Sequence, residues 1–142
     1  MEYEIEEKLP SAKEYNQLRQ SVGWGVYEHD VINKALPKSL YCLTALVNGK
    51  IVGMARVVGD GGLVYYIQDM IIKPEYQRQG IGKNLMNRIM EYIRTHASHN
   101  SVIGLMSAEG KEKFYEQYGF VNRPTDKLGS GMTIFWKVDT GA

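Results

Sequence analysis

The spacing of apolar residues changes at Gly80, and this change limits the folds open to the chain. The segments before Gly80 are short runs rich in β-branched and aromatic residues, which are typical of strands. After it, Leu85, Ile89 and Ile93 repeat every four residues, which indicates one face of a long helix. A short apolar run at 102–106 follows the helix. Strand, helix and strand in this order predict a βαβ unit, whose two strands lie parallel.

The strands before this unit are predicted to form an antiparallel meander. Residues 41–47 and 51–58 are β-rich runs joined by Asn48-Gly49, a dipeptide strongly associated with two-residue hairpin turns. A glycine-rich turn then leads to a third run, 63–72. The predicted fold class is therefore α+β, or mixed-sheet α/β, in which antiparallel strands precede the βαβ unit.

The remaining predicted elements are short. Ser11 followed by Glu14 is the pattern of a capping box, and it predicts a helix through about residue 19. Further predicted elements are an opening strand at 3–5, helices at 28–36 and 111–117, and late strands at 120–121 and 132–138. The last of these is an edge strand that is able to pair across a two-fold axis, which raises the hypothesis of a homodimer.

The composition excludes several classes of protein. With 142 residues the chain suits a single domain, 1–142. Its 17 Lys and Arg residues balance 16 Asp and Glu, so a net charge of +1 gives no electrostatic case for binding nucleic acid. The lone cysteine, Cys42, forms no internal disulfide, no spacing predicts a metal site, and no apolar run approaches the roughly 20 residues that cross a membrane. We therefore expect a cytoplasmic protein without a nucleic-acid or membrane partner.

Residues 77–83, Gln-Arg-Gln-Gly-Ile-Gly-Lys, lie between the third strand and the long helix. Gly80 and Gly82 let the backbone turn tightly, and the first helical turn offers N–H groups without an intrahelical partner. These donors, the positive end of the helix dipole and the side chains of Arg78 and Lys83 predict a phosphate site. The alternative is a glycine-rich helix entry that serves only packing.

Two common phosphate loops do not fit this stretch. A dinucleotide-binding fingerprint needs a third glycine or an alanine where the chain has Leu85, and a nucleotide-binding P-loop needs a glycine at Gln77. The stretch instead resembles the acetyl-CoA loop of the GNAT superfamily of N-acetyltransferases, whose pattern is Gln or Arg, two residues, Gly, one residue, and Gly or Ala. Gln77, Gly80 and Gly82 match this pattern in full.

A second stretch strengthens the resemblance. Residues 113–120, Lys-Phe-Tyr-Glu-Gln-Tyr-Gly-Phe, are similar to the second GNAT signature, which is an aromatic pair followed by an acidic residue and a terminal Gly-Phe. Together the two signatures cover about 63–121. The order of the predicted elements extends the resemblance to nearly the whole chain.

The resemblance implies acetyl-CoA as the co-substrate and no metal or tightly held prosthetic group. It places the pyrophosphate on the loop backbone and the pantetheine arm along the preceding strand, which parts from its parallel neighbour at 102–107 to admit the arm. The implied cofactor-binding residues are Met70, Ile71, Ile72, Gln77, Arg78, Gln79, Gly80, Ile81, Gly82 and Lys83.

Two residues are candidates for the chemistry. Tyr115 matches the family position that commonly protonates the departing thiolate, and a phenol is able to supply that proton. The acceptor amine must arrive neutral, and Asp69, on the cofactor-binding strand, is the candidate general base. Alternation puts Asp69 on the face opposite Gln68 and Met70. The alternative for Asp69 is a structural carboxylate bonded to a neighbouring strand or loop.

The function implied by the resemblance is direct transfer of an acetyl group from acetyl-CoA to an amine. The near-neutral charge favours a small-molecule acceptor over a basic protein tail. Trp24, between two glycines, is a candidate for lining the acceptor pocket or else a buried anchor, and 123–131 suggests a loop on the acceptor side. The alternative function is a non-catalytic acyl-CoA-binding or sensing module.

Overall fold

A computed structural model describes residues 2–138 of the chain. They form a five-stranded sheet in the order β1-β2-β3-β4-β5, with β1 at Glu4–Glu7, β2 at Tyr41–Val47, β3 at Lys50–Gly59, β4 at Val64–Ile72 and β5 at Val102–Gly104. The α-helices are α1 (Ala12–Ser21), α2 (His29–Ala35), α3 (Ile81–His96) and α4 (Glu112–Glu116). Strands β1 to β4 are antiparallel to their neighbours and β5 is parallel to β4, so the predicted mixed sheet with its βαβ unit is confirmed.

The structure contains the hairpin turn and the helix start that short-range signals in the sequence predict. Asn48 and Gly49 have φ values of 51° and 76°, which suit a two-residue hairpin turn whose twist matches the flanking strands. At the start of α1, the Ser11 side chain accepts from the Glu14 backbone N–H, and the Glu14 side chain accepts from the Ser11 backbone N–H. The predicted capping box is therefore confirmed.

Helices cover both faces of the central strands. Residues 42–46 of β2 are all buried, which requires packing on each side of the sheet. α3 contacts β2, β3 and β4, whereas α1 contacts β3 and β4. The buried residues of α3 are those of the predicted apolar face: Ile81, Leu85, Met86, Ile89 and Ile93. This packing anchors the end of β4 and the start of α3, the two elements that flank the predicted loop.

The chain divides into two compact units, Met1–Leu105 and Met106–Ala142. Within the described part of the second unit, Tyr115 is the only buried residue. The predicted late strands are wrong, because residues 120–121 and 132–138 carry no secondary structure. A strand needs a neighbouring strand to complete its hydrogen bonds, and the described chain gives these residues none. The prediction of one domain over 1–142 stays a prediction.

Candidate active site

Strands β4 and β5 part before β4 ends. Their parallel ladder begins where Val64 pairs with Val102 and ends where Tyr66 pairs with Gly104. β4 continues to Ile72, so beyond Tyr66 its backbone has no partner from β5 within the described residues. Backbone donors and acceptors on that side of β4 are therefore available to an extended ligand.

A β-bulge interrupts the same stretch of β4. The β3–β4 register shifts between Met54 and Arg56, so Ala55 lies opposite both Asp69 and Met70. Asp69 has a φ of 58°, a left-handed value that is uncommon for a residue with a side chain. A bulge leaves its extra residue out of the ladder, and bulges are frequent beside active sites. The bulge thus adds irregular backbone to the stretch of β4 that β5 leaves open.

The loop after β4 is held in shape by one of its own side chains. The Gln77 side-chain amide donates to the Ile72 carbonyl oxygen over 2.9 Å. Arg78 and Gly80 have φ values of 64° and 87°. Glycine reaches such values at no steric cost, whereas other residues do so rarely. Gln77 and Gly80 therefore define the path of the loop. The Gln77 side chain stabilises the loop by bonding to the end of β4.

The N-terminus of α3 has backbone amides without a capping side chain. Its N-cap, Gly80, has no side chain to accept a hydrogen bond, and the first turn holds no acidic residue. The first intrahelical bond runs from the Asn84 N–H to the Gly80 carbonyl oxygen over 3.0 Å, so the amides of Ile81 and Gly82 have no acceptor within the helix. A Cβ at Gly80 would meet no other atom within 4 Å, which leaves open space beside these donors. Free amides and the helix dipole together favour a phosphate here.

The predicted cofactor-binding residues differ in what they can offer a ligand. The side chains of Ile71 and Ile81 are buried in the core, so only their backbone is available. Half-buried residues are Met70, Ile72 and Gly82, and exposed residues are Gln77, Arg78, Gln79, Gly80 and Lys83. All of them lie on the end of β4, the loop and the first turn of α3. Their contact with acetyl-CoA stays a prediction.

Asp69 lies in a buried cluster of charged and polar side chains. Its carboxylate is fully buried and accepts hydrogen bonds from the Tyr15 hydroxyl over 2.8 Å and from the Arg56 Nε over 2.7 Å. The Arg19 guanidinium lies 3.6 Å from its other oxygen. The predicted alternation is confirmed, because Asp69 is on the buried face of β4 whereas Gln68 is half-buried on the other. These partners fit the structural-carboxylate alternative, and the general-base role stays a prediction.

Sequence reasoning missed the residues that surround Asp69. The burial of Tyr15 and its bond to Asp69 raise the pKa of the Tyr15 phenol to about 12, so this phenol remains a hydrogen-bond donor at neutral pH. Arg56 could have been found, because it is a charged residue inside the otherwise apolar run of β3. Tyr15 and Arg19 gave no such signal, since their spacing suits an ordinary amphipathic helix.

Arg19 also holds the connection between α1 and α2. Its Nε donates to the Gly25 carbonyl oxygen over 2.6 Å. Its guanidinium lies over the rings of Trp24 and Tyr27, at 5.4 Å and 4.7 Å from their centroids. Trp24 is 37% exposed, so it is not the buried anchor that was the alternative to a pocket residue. One arginine thus links an exposed aromatic loop to the carboxylate in the β4 bulge.

Tyr115 lies in α4 of the second unit. Its ring is 9% exposed and packs edge-on against Phe114 and Phe120, at centroid distances of 5.1 Å and 6.3 Å. Burial raises the pKa of the Tyr115 phenol to about 12. The hydroxyl is therefore protonated at neutral pH, which is the state that a proton donor requires. The role of Tyr115 as that donor stays a prediction.

The loop at 123–131 is organised by local hydrogen bonds. The Arg123 Nε donates to the Gly129 carbonyl oxygen over 2.5 Å, and the Thr125 backbone N–H donates to the Leu128 carbonyl oxygen over 2.8 Å. The Arg123 side chain therefore closes a turn. Within residues 2–138, no three His, Cys, Asp or Glu side chains are placed to hold a metal ion, and no helix is long and apolar enough to span a membrane.

The chain is similar to known proteins over most of its length. The family model described as an acetyltransferase (GNAT) domain matches residues 13–135. An uncharacterized N-acetyltransferase, ycf52, of Pyropia yezoensis is 30% identical over 127 residues, which is 87% of this chain and 70% of the relative. The chloroplastic GCN5-related N-acetyltransferase 3 of Arabidopsis thaliana is 33% identical over 90 residues, which is 63% of this chain and 36% of that relative. The crystal structure of protein SA2161 from Staphylococcus aureus superposes with a TM-score of 0.87 at 30% identity, covering 95% of this chain and 100% of that one.

Proposed function

Because the chain belongs to the GNAT family of N-acetyltransferases, we propose that it transfers an acetyl group from acetyl-CoA directly to the amine of a small molecule. The observation that carries the proposal is the start of α3. Gly80 leaves the first amides of that helix without side-chain or intrahelical acceptors, directly after a strand whose neighbour has parted from it. A diphosphate with an extended polar arm matches these two features.

The loop and β4 fit the two halves of this co-substrate. The amides of Ile81 and Gly82 and the exposed side chain of Arg78 provide donors and positive charge for the diphosphate. The backbone of β4 beyond Tyr66 provides donors and acceptors for the amide groups of the pantetheine arm. The core burial of Ile71 limits its contribution to the backbone, which is what an arm lying along the strand would use.

Acetyl transfer to an amine needs stabilisation of an oxyanion and control of two protons. Backbone N–H groups outside a ladder, such as those of the bulge at Asp69 and Met70, are the donors that stabilise an oxyanion. The amine nitrogen forms a bond to the acetyl carbon, the carbon–sulfur bond breaks, and the thiolate takes a proton. We assign that proton to the Tyr115 hydroxyl, which burial keeps protonated. The other proton leaves the amine, and the contacts of Asp69 with Arg56 favour water as its acceptor.

A small-molecule acceptor is supported by the surface beside the α1–α2 connection. A shallow concavity of about 660 Å³ lies there, within the size range of ligand pockets. Tyr27 is among its lining residues, and Arg19 links the Tyr27 ring to the carboxylate of Asp69 in the bulge. The concavity and the bulge are thus joined through one side chain of the first unit. A cytoplasmic location for the reaction stays a prediction.

Calorimetry with acetyl-CoA tests the binding half of the proposal with a matched pair of glycines. Gly80 and Gly61 both have left-handed φ values, 87° and 78°, and neither has an atom within 4 Å of a Cβ. Valine imposes similar backbone strain at each, but only Gly80→Val puts a side chain beside the α3 amides. We expect Gly80→Val to weaken acetyl-CoA binding at least tenfold and Gly61→Val to leave it within a few-fold.

Two results would contradict this assignment. Absence of binding heat at millimolar acetyl-CoA in the parent protein would show that acetyl-CoA is not the co-substrate. Equal losses of acetyl-CoA affinity in both variants would show that the loop before α3 is not the diphosphate site. A turnover assay for released thiol, run against a panel of small amines, then separates the enzyme from a non-catalytic acyl-CoA-binding module. Thiol released from acetyl-CoA only when an amine is present supports transfer. Acetyl-CoA binding without thiol release in the presence of any amine of the panel supports the non-catalytic module.

A further inference from the structure

The connection between α1 and α2, residues 22–28, is held in place by two side chains of α1. The connection carries no helix or strand. The Asn16 side-chain amide donates to the Tyr27 carbonyl oxygen over 2.9 Å, and the Asn16 side-chain oxygen accepts from the Tyr27 N–H over 3.1 Å. The Arg19 Nε donates to the Gly25 carbonyl oxygen over 2.6 Å. Asn16 and Arg19 are one helical turn apart, so both face the connection.

Arg19 differs from Asn16 because it also reaches the buried face of the sheet. Its guanidinium lies 3.6 Å from a carboxylate oxygen of Asp69, and its side chain is only 13% exposed. The side-chain hydrogen bonds of Asn16 go to the connection. Arg19 is thus in contact with the connection and with the β4 bulge at the same time.

The neutralisation of Asp69 does not explain the burial of Arg19. The Arg56 Nε donates to the Asp69 carboxylate over 2.7 Å, and the Tyr15 hydroxyl donates to the same oxygen over 2.8 Å. Arg56 and Tyr15 therefore already provide close partners for this carboxylate. A second largely buried arginine adds a desolvation cost and leaves the cluster with one surplus positive charge. The position of Arg19 calls for another role, and its contact with the connection provides one.

The shape of the guanidinium suits both contacts of Arg19. Arginine has donors that point in several fixed directions and a flat face that lies over aromatic rings, whereas the lysine ammonium is a compact point charge. The Arg19 Nε is bonded to Gly25, and a terminal nitrogen faces Asp69. The guanidinium also lies over the rings of Trp24 and Tyr27 in the connection. A lysine at this position would keep the charge but could not make these contacts together.

We propose that Arg19 is a positioning residue for the acceptor amine, which fixes the α1–α2 connection and the concavity beside it relative to the β4 bulge. The inference rests on the proposed function, in which the concavity receives the amine and bulge N–H groups stabilise the oxyanion. Asn16 and Tyr27 line the concavity and are bonded to each other, so its wall follows the connection. A displacement of about 1 Å between reacting groups is enough to slow a reaction on the order of 10²-fold. Arg19 therefore acts through the connection, without touching the reacting atoms.

Acrylamide quenching of Trp24 fluorescence tests the contacts of Arg19 without any substrate. The chain has two tryptophans, so Trp136→Phe is present in every protein measured. Trp24 is 37% exposed, and release of its ring from the guanidinium in Arg19→Lys should raise the quenching constant about twofold. Asp69→Asn should raise it as well, and adding Asp69→Asn to Arg19→Lys should raise it no further, because both changes break the same link. The control is Arg94→Lys, the same change at an exposed arginine of α3, which should leave the quenching constant unchanged.

Steady-state kinetics with an accepted small amine test the placement of the acceptor. Arg19→Lys should raise the KM of the amine about tenfold and lower kcat about tenfold, because the amine is displaced from the acetyl carbon. The Kd of acetyl-CoA should stay within a few-fold, since the loop before α3 is held by its own Gln77 side chain. Asn16→Ala is a second variant that loosens the same connection and leaves the Asp69 cluster intact, so it should also raise the KM of the amine. Arg94→Lys should change none of these constants.

Three outcomes would overturn the proposal. The first is unchanged Trp24 quenching in Arg19→Lys, because Arg19 would then not hold the connection. The second is unchanged Trp24 quenching in Asp69→Asn, because the connection would then not be linked to the bulge. The third is an equal rise in the KM of the amine and the Kd of acetyl-CoA in Arg19→Lys, which would mean a general structural role. A parent protein that releases no thiol with any amine would remove the proposed function and the acceptor role with it, whatever the quenching shows, so the two failures are distinguishable.

Discussion

The two compact units of this protein differ in how much of themselves they bury. Every buried residue of the described chain lies in the first unit, except Tyr115. α3 of the first unit buries five side chains along 16 residues, whereas α4 of the second spans 5 residues and buries one. The first unit therefore buries a core within one chain, although its Leu63 and Val102 are 71% and 62% exposed. The described part of the second unit leaves most of its large apolar residues exposed, among them Met132, Ile134 and Trp136.

This difference predicts where a substitution acts. In the first unit, a change at a buried residue removes packing or a buried ion pair and should lower the free energy of unfolding. In the second unit, most residues are exposed, and a change should affect activity or association before stability. Matched substitutions test this division, and they are given from the largest expected effect to the smallest.

Tyr115→Phe should lower kcat by roughly 10²- to 10⁴-fold, because it removes the hydroxyl and keeps the ring against Phe114 and Phe120. Affinity for acetyl-CoA should change little. The control is Tyr118→Phe, which alters the other tyrosine of the same aromatic cluster and should leave kcat within a few-fold. Steady-state kinetics with an accepted amine measure both. A parent-like kcat for Tyr115→Phe, when chemistry limits the rate, would show that Tyr115 is structural.

Asp69→Asn should lower the free energy of unfolding by about 3 kcal/mol, because Arg56 and Arg19 would lose their shared anion in a buried site. Asp126→Asn makes the same change at an exposed residue of the second unit and should alter stability by less than about 0.5 kcal/mol. Urea unfolding measures each. An Asp69→Asn protein as stable as the parent but without activity would support the general-base role instead of the structural one.

Leu85→Ala should destabilise the protein by about 2–5 kcal/mol, because Leu85 is completely buried and its loss leaves a cavity under α3. Leu128→Ala removes the same atoms from a residue that is 44% exposed in the second unit. Its effect should stay near 0.5 kcal/mol. If chemical denaturation shows that both variants lose the same free energy of unfolding, Leu128 is more buried in solution than its 44% exposure in this structure indicates.

Tyr15→Phe should cost about 1 kcal/mol at neutral pH through its lost hydrogen bond to Asp69, and it should also change the alkaline response. The pKa of Tyr15 is raised to about 12 in the folded protein. The unfolded chain therefore loses the phenolic proton first, near pH 10, so stability present below pH 10 is lost as the pH rises towards 12. The parent should lose stability across this window, and Tyr15→Phe should lose it less steeply.

Tyr115 and Cys42, whose pKa values are also raised by burial, contribute in the same direction and remain in the variant. The difference between the two proteins, measured by urea unfolding at pH 9 to 12, isolates Tyr15. Identical slopes would mean that the Tyr15 phenol titrates alike in the folded and unfolded states.

Much of the fold was predictable because its signals act over a few residues. The Asn48-Gly49 turn, the capping box of Ser11 and the four-residue repeat of α3 each express a local preference, and the structure has all three. The loop at 77–83 was predictable for the same reason, since glycines before an amphipathic helix act through the backbone alone. The membership of the GNAT family followed from that loop and from the stretch at 113–120.

The surroundings of Asp69 were not predictable in the same way. Tyr15 is 54 residues from Asp69 in the sequence, and Arg56 is 13 residues away on another strand. No pattern within either segment indicates the other, because a hydrogen bond between distant segments depends on how the helix and strands pack. The sequence placed an acid on the buried face of β4, and packing gave it two arginines and a tyrosine as partners.

By itself, the sequence determined the order of the elements from β1 to α4, the mixed sheet and the loop before α3, because propensities and periodic burial act locally. The family was identified by the resemblance of residues 77–83 and 113–120 to its two signatures. Only the tertiary structure decided where β4 bulges, what Asp69 contacts and whether 132–138 forms a strand. Residues 132–138 have the alternating pattern of a strand, yet a strand exists only when another backbone completes its hydrogen bonds. The alternation of residues is fixed within the segment, whereas strand pairing depends on whether another backbone lies beside it.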